Sequence, residues 1–157
     1  MHTMNNLSPC VAAPHAPAAV PAVAVAAPTN GDNRQVLIVE DDRDIANMMA
    51  ELLELAGFSV VLASDASFGL VALRTRQFSL VLSDQRMPGQ TGLEMLYEAR
   101  AAGLLDGVAA LIVSAEELAD LPWRALRKPI LIADLLVEMR RAMDECAAAP
   151  ASDRTAF

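Results

Sequence analysis

Side chains that could do chemistry stand at the ends of four short apolar runs: Glu40 with Asp41, Asp84, Ser114 and Lys128. Carboxylates are ligands for hard cations such as Mg²⁺ and can act as nucleophiles toward phosphoryl groups. A hydroxyl and an ammonium group can bind and neutralise phosphoryl oxygens. Taken singly, an acid after a strand is more often a loop residue or a helix cap, and a lysine or serine there is as often a surface residue. The prediction of a site therefore rests on their joint occurrence.

The hydrophobic pattern predicts the elements that hold these side chains. Short apolar segments predict strands at 36–39, 59–63, 78–82 and 108–113, with a brief fifth strand before Lys128. Periodic apolar residues predict helices at 43–56, at 65–77, from Thr91 to Gly103 and at 131–142. Strands that alternate with helices indicate an α/β fold with a doubly wound, five-stranded parallel sheet. Ligands bind at the carboxyl ends of strands in such a sheet, so the four strand ends are expected to converge there.

Individual helices carry more specific predictions. Asp42 is interpreted as the N-cap of the first helix, whereas Glu40 and Asp41 belong to the strand end. In the second helix, the residues available to face the sheet are Phe68, Leu70 and Leu73. The third helix begins with a capping box formed by Thr91 and Glu94, and its predicted apolar face consists of Leu93, Leu96, Tyr97 and Ala101.

Three carboxylates gathered in one crevice need compensating positive charge. Glu40, Asp41 and Asp84 would repel one another strongly in a partly desolvated pocket. Magnesium is the expected cation, because it prefers oxygen ligands and is usually held by one or two carboxylates together with a phosphoryl oxygen. Lys128 would add a fixed positive charge.

Composition excludes several classes of function. The chain has 157 residues and a formal net charge of -8. Direct binding to nucleic acid or to an anionic membrane is not expected, because phosphate surfaces attract clustered Lys and Arg. No apolar run of 18 or more residues is free of proline, and the first 30 residues contain no Lys or Arg that could begin a signal peptide. We therefore expect a cytoplasmic protein.

The two ends of the chain differ from its middle. Residues 1–34 are rich in Ala and Pro and predict a disordered tail, and residues 147–157 predict a second one. The domain is expected to span 35–146. Both histidines, His2 and His15, fall in the first tail, so the domain itself has no histidine base or metal ligand. The two cysteines, Cys10 and Cys146, are predicted to lie in unstructured segments, which suits a reducing compartment.

From about Gln35 to Arg141 the chain resembles the receiver domain of two-component response regulators. Four blocks carry the resemblance in order: VLIVEDD, LVLSDQRMPGQTG, LIVSA and RKPI. They match an acidic pair, a phosphoacceptor strand with its loop, a hydroxyl position and a lysine whose peptide bond to proline is usually cis. The resemblance implies a flavodoxin-like receiver fold with strand order 2-1-3-4-5.

The resemblance also implies a role for each candidate residue. Asp84 would accept a phosphoryl group, and Ser114 and Lys128 would contact the phosphoryl oxygens. The Mg²⁺ ion would be held by Asp41, Asp84 and the backbone carbonyl of Arg86, with Glu40 bonding a water bound to the ion. The donor would be a histidine kinase or a histidine phosphotransfer protein.

Two features depart from the family pattern. Only ten residues, Ala115 to Arg124, connect the fourth and fifth strands, whereas a helix with two loops needs roughly 20. The fourth helix is therefore predicted to be shortened or absent. The position three residues before the lysine usually carries an aromatic switch residue, and here it is Ala125. Trp123 could anchor a moving loop in its place, or it could simply fill the gap left by the helix.

These observations favour a stand-alone receiver that signals through protein contacts or acts in a phosphorelay, and that is not an enzyme toward other substrates. The alternative is an interaction module that keeps the fold but works without phosphorylation. A phosphatase that uses an aspartate nucleophile is disfavoured, because that class has a second acid at the position of Arg86. Arg86 and Glu116 are instead predicted to form an ion pair across the mouth of the pocket and to slow the loss of the phosphoryl group.

Overall fold

The computed structural model describes residues 35–149, which form five strands and four helices. The strands are β1 (Gln35–Val39), β2 (Ser59–Ala63), β3 (Leu80–Asp84), β4 (Ala109–Ser114) and β5 (Arg124–Arg127). The helices are α1 (Arg43–Leu55), α2 (Ala66–Thr75), α3 (Gly92–Ala101) and α4 (Ile132–Ala148). None of these described helices is long and apolar enough to cross a membrane. The predicted disordered tail at 1–34 lies outside the described residues, and so do residues 150–157 of the tail predicted at 147–157.

All five strands are parallel and lie in the order β2-β1-β3-β4-β5. This confirms the predicted doubly wound, flavodoxin-like sheet. Asp84 is in register with Val113, and Ser114 is in register with Arg127. The carboxyl ends of the strands therefore lie side by side at one edge of the sheet, where the residues that follow them meet.

Helices cover the sheet on both faces. α1 and α4 pack on one face, where Leu53 and Met139 are buried, and α2 and α3 pack on the other, where Leu70 and Met95 are buried. Every residue of β3 and β4 is buried. Burial on both faces explains why these strands appear in the sequence as continuous apolar runs rather than as alternating ones.

The predicted inner faces of α2 and α3 are partly wrong. Phe68 is 62% exposed and Tyr97 is 49% exposed, and Ala101 is exposed as well. The residues that α2 buries are Ala66, Gly69, Leu70 and Leu73, and those that α3 buries are Gly92, Met95, Leu96 and Ala99. Each set follows the i, i+3, i+4 spacing of a single helix face. Phe68 and Tyr97 lie between these buried positions in the sequence. The helical twist therefore turns their side chains away from the sheet.

The last helix is longer than predicted. α4 continues to Ala148, so the domain extends past the predicted boundary at 146, and Cys146 lies in a helix that packs on the core instead of in an unstructured segment. Ion pairs join β5 to this helix, one of them beyond its predicted end at residue 142. Nη1 of Arg124 lies 2.6 Å from Oε2 of Glu138, and Nε of Arg124 lies 3.0 Å from Oε2 of Glu145. These bonds hold the final turns of α4 against the edge strand.

The fourth helix of the family pattern is absent, as predicted. Among the described residues, those from 115 to 123 contain no helix and lead directly into β5. Trp123 is half-buried and packs against the layer formed by α2 and α3. Its ring lies 4.9 Å from that of Tyr97 in an edge-to-face arrangement, and the guanidinium of Arg100 lies 6.0 Å from its centroid. Trp123 therefore covers the gap beside α3, and the loop movement proposed for it stays a prediction.

Candidate functional site

Three carboxylates meet at the carboxyl ends of β1 and β3. Glu40 directly follows β1 and is 3% exposed, Asp41 beside it is exposed, and Asp84 is the last residue of β3 and is 6% exposed. One oxygen from each of these residues lies within 4.8 Å of the others. The N–H of Asp42 donates to Oε1 of Glu40 at 3.3 Å, but the side chain of Asp42 takes no part in this group. Its side chain accepts hydrogen bonds from the N–H groups of Asp44 and Ile45, which confirms it as the N-cap of α1.

Lys128 reaches the acids from the end of β5. Its Nζ lies 2.7 Å from Oδ1 of Asp84 and 3.6 Å from Oε2 of Glu40. Its backbone is held by a hydrogen bond from its N–H to the carbonyl of Ser114 at 2.7 Å, and its peptide bond to Pro129 is cis. The ammonium group therefore lies directly against the carboxylate predicted to be the phosphoacceptor.

The charges in this cluster change the acidity of its members. Burial raises the pKa of Glu40, and the nearby Asp84 carboxylate raises it further, while Lys128 acts in the opposite direction. Burial of Lys128 lowers its pKa, but the carboxylates of Asp84 and Glu40 raise it by more, so the net shift is upward. Lys128 thus stays protonated across the physiological pH range.

Ser114 ends β4 and lies one residue beyond Val113, the register partner of Asp84. The residue is 3% exposed, and its Oγ accepts a hydrogen bond from the N–H of Glu116 at 3.0 Å. The hydroxyl therefore lies at the same edge of the sheet as the acids, where its position is fixed by the loop that follows β4.

Arg86 lies on the loop after β3 and has two contacts relevant to the site. Its N–H donates to Oδ2 of Asp84 at 2.8 Å, so the two oxygens of that carboxylate have different partners, an ammonium and a backbone amide. The guanidinium of Arg86 forms an ion pair with the carboxylate of Glu116. The predicted pair across the pocket mouth is therefore present, and both side chains in it are largely exposed.

Two residues that the sequence analysis did not single out connect the end of β3 to α3. Gly92 begins α3 so close to β3 that an added Cβ would overlap the carbonyl oxygen of Asp84. Gln85 accepts hydrogen bonds from two N–H groups of α3: its carbonyl accepts from Gly92 at 3.2 Å, and its side-chain oxygen accepts from Leu93 at 3.1 Å. A glycine at the first position of a helix was the available signal for the close contact. No sequence pattern indicated the role of Gln85.

The residues at this site fit a divalent cation. Three carboxylates face one ammonium group, so the cluster carries excess negative charge. Oε2 of Glu40 is buried without a hydrogen-bond partner among the described residues, and Lys128 is its nearest cation at 3.6 Å. An unpartnered buried carboxylate oxygen is costly, and a hard cation with its bound waters would satisfy it. Oxygen donors of this kind are those that Mg²⁺ prefers.

Comparisons with known proteins agree with this geometry. A family model described as a response regulator receiver domain matches residues 36–133. The chain is 36% identical over 102 residues to the response regulator receiver protein Anae109_2439 of Anaeromyxobacter sp. (strain Fw109-5), a match that covers 65% of this chain and 42% of that protein. It is 29% identical over 119 residues to the response regulator receiver protein CpdR of Brucella abortus, covering 70% of this chain and 97% of that one.

A solved structure has the same fold. The CheY-like receiver domain protein of Methanospirillum hungatei superposes with a TM-score of 0.67 at 26% identity, covering 74% of this chain and 98% of that one. The chain spans less than half the length of its Anaeromyxobacter relative. That match therefore supports membership of the family, and it assigns no output activity to this chain. The prediction of the family is confirmed. The chain belongs to the response regulator receiver domain family.

Proposed function

We propose that this receiver accepts a phosphoryl group on Asp84 in a reaction that depends on Mg²⁺. The observation that carries the proposal is the contact between Asp84 and Lys128, 2.7 Å from Oδ1 to Nζ, inside a group of three carboxylates. A carboxylate that served only structure would not need two further acids beside it. An acceptor that works beside a bound cation does need them, because they hold the ion whose charge would offset that of the phosphoryl group.

The transfer step requires little covalent chemistry from the protein. An oxygen of Asp84 forms a bond to phosphorus while the bond from phosphorus to a histidine nitrogen of the donor breaks. The nitrogen keeps the electron pair of that bond and takes up a proton, and Asp84 becomes an acyl phosphate. Lys128 would stabilise the phosphoryl charge from the Oδ1 side, and the Ser114 hydroxyl would contact a phosphoryl oxygen from the end of β4.

The metal ion would be held by Asp41, Asp84 and the carbonyl of Arg86. Glu40 lies behind these ligands, and its unpartnered oxygen would face the water around the ion. The bound ion supplies positive charge that neutralises the phosphoryl oxygens during transfer. The N–H of Arg86 donates to Oδ2 of Asp84 at 2.8 Å and so orients the acceptor carboxylate.

We assign the partners by class. The donor is a histidine kinase or a histidine phosphotransfer protein, the class of donor that membership of the receiver family implies. The receiver works in the cytoplasm, without direct contact to nucleic acid, which its net charge of -8 disfavours. It passes the signal through protein contacts or along a phosphorelay, and it is not an enzyme toward other substrates.

Intact-mass measurement tests the proposal. The protein is incubated with acetyl phosphate in Mg²⁺ and in a chelator, beside the variants Asp84→Ala and Asp44→Asn. Asp44 is an exposed acid in the first turn of α1 and controls for the loss of one carboxylate. We expect one phosphoryl group on wild type and Asp44→Asn in Mg²⁺, and none on Asp84→Ala or in chelator. A wild type that stays unmodified would favour the interaction module that works without phosphorylation.

A further inference from the structure

The N–H groups at the amino end of α3 have hydrogen-bond partners in two separate sets. The N–H groups of Thr91 and Glu94 belong to the capping box, in which each residue's side chain accepts from the other's backbone. The N–H groups of Gly92 and Leu93 donate instead to the backbone carbonyl and the side-chain oxygen of Gln85. A helix leaves its first N–H groups without partners inside the helix, and here one residue outside the helix takes two of them.

Gln85 connects the helix to the strand that carries the acceptor. It follows Asp84 directly, and its own N–H donates to the carbonyl of Val113 in β4 at 2.8 Å. The residue is thus bonded on one side to the neighbouring strand and on the other to the first turn of α3. The capping box, in contrast, joins residues of α3 and its cap only, with no bond to the sheet.

The segment between these fixed points contains Arg86, whose carbonyl is the proposed backbone ligand of the metal. Both bonds from α3 to Gln85 close the loop at residues 86–91, so they limit the positions that the carbonyl of Arg86 can adopt. The peptide group before that carbonyl is already fixed, because the N–H of Arg86 donates to Oδ2 of Asp84. A loop with one bond fewer would hold the carbonyl less firmly, and it would have to be ordered when the ion binds.

We propose that the side chain of Gln85 is a positioning residue for the metal site. Its amide oxygen, through the N–H of Leu93, holds the loop so that the carbonyl of Arg86 is in place before Mg²⁺ arrives. The inference rests on the proposed function, because it takes the Arg86 carbonyl to be a ligand. Gln85 itself touches neither the ion nor the phosphoryl group.

The test compares three variants with wild type. Gln85→Met keeps the length of the side chain but removes the oxygen that accepts from Leu93. Gln85→Glu keeps an acceptor at that place. Thr91→Val breaks the capping box at the same helix end without touching the loop closure, so it controls for loss of helix stability alone. Mg²⁺ affinity is measured by isothermal titration calorimetry without a phosphodonor, and each variant's melting temperature is measured beside it.

We expect Gln85→Met to weaken Mg²⁺ binding about three- to tenfold, the range expected when one ordering hydrogen bond is lost. Gln85→Glu should restore the affinity. Thr91→Val should lower the melting temperature as much as Gln85→Met does and leave Mg²⁺ affinity within about twofold of wild type. With acetyl phosphate, Gln85→Met should need more Mg²⁺ for half-maximal phosphorylation but reach the same rate at saturation.

Two outcomes would overturn the positioning role. In one, Gln85→Met binds Mg²⁺ as tightly as wild type. In the other, Thr91→Val loses as much affinity as Gln85→Met, which would show that helix stability alone controls the site. These outcomes differ from failure of the proposed function, in which the wild type binds Mg²⁺ but takes up no phosphoryl group under any donor.

Discussion

The close approach of α3 to the phosphoacceptor strand predicts an unusual cost for a small substitution. In Gly92→Ala, the new Cβ would overlap the carbonyl oxygen of Asp84 and lie 2.7 Å from Oγ of Ser83. Both neighbours belong to a strand whose residues are all buried, so they cannot move aside without disturbing β3. The helix must shift instead, and the bonds that it makes to Gln85 lengthen with it.

Gly69→Ala provides a matched control with the same chemical change. Gly69 is also a buried helical residue, but the nearest atom to an added Cβ is Sδ of Met95 at 2.8 Å, followed by a methyl group of Val39 at 3.1 Å. A thioether at the end of a flexible side chain can adjust its position, whereas a strand carbonyl cannot. Both variants also gain from replacing glycine in a helix, and Gly69→Ala gains the more because Gly69 lies inside α2, whereas Gly92 is the first residue of α3.

Two opposing contributions set the expected change in the free energy of unfolding. Overpacking against rigid neighbours costs about 1 to 3 kcal/mol, and replacing glycine returns about 0.4 to 1 kcal/mol. These ranges make Gly92→Ala about 0 to 2.6 kcal/mol less stable than wild type, and the overlap with a backbone oxygen places it toward the upper end, while Gly69→Ala should stay within about 1 kcal/mol of wild type. Urea unfolding monitored by circular dichroism measures both. The reasoning is refuted if Gly92→Ala is as stable as Gly69→Ala.

Three further predictions concern the site and the edge of the sheet. Replacing both Arg86 and Glu116 by Ala should speed loss of the phosphoryl group several-fold, because their ion pair covers the pocket mouth, and an unchanged decay rate by intact mass would reject this. Asp41→Asn should weaken Mg²⁺ binding about tenfold or more, yet raise the melting temperature of the metal-free protein by relieving repulsion; a lower melting temperature would contradict it. Arg124 lowers the pKa of Glu145 below 4.5, so their bond stabilises the protein above that value and is lost as the pH falls through the lowered pKa. Glu145→Gln should therefore lower the melting temperature at neutral pH but not in acid, and a difference independent of pH would contradict this.

The sequence predicted best the features in which a buried strand ends in a polar side chain. The strands that end near Asp84 and Ser114 are buried on both faces, so their apolar runs are continuous and their polar ends are conspicuous. The short link before β5 showed by its length alone that a helix could not fit. These features depend on local composition, and the structure agrees with them.

The remaining features depend on contacts between elements that are distant in sequence. Phe68 is apolar and lies in a helix, but whether it faces the sheet depends on a rotation that Leu70 and Leu73 determine. Near the end of α4, Glu145 bonds Arg124, which belongs to another element. The role of Gln85 follows only from the position of α3, from whose N–H groups it accepts hydrogen bonds. No local pattern could show these relations, because the partner in each is fixed only by the fold.

The central claim is that Asp84 is the residue that carries the phosphoryl group, and one measurement tests it directly. Sodium borohydride reduces an aspartyl phosphate to homoserine, whereas it leaves a free carboxylate unchanged. Wild-type protein treated with acetyl phosphate and Mg²⁺, reduced and mapped by peptide mass spectrometry, should contain homoserine at position 84 and aspartate at positions 41 and 42. Homoserine at another position, or aspartate at 84 in protein shown to hold a phosphoryl group, would contradict the account.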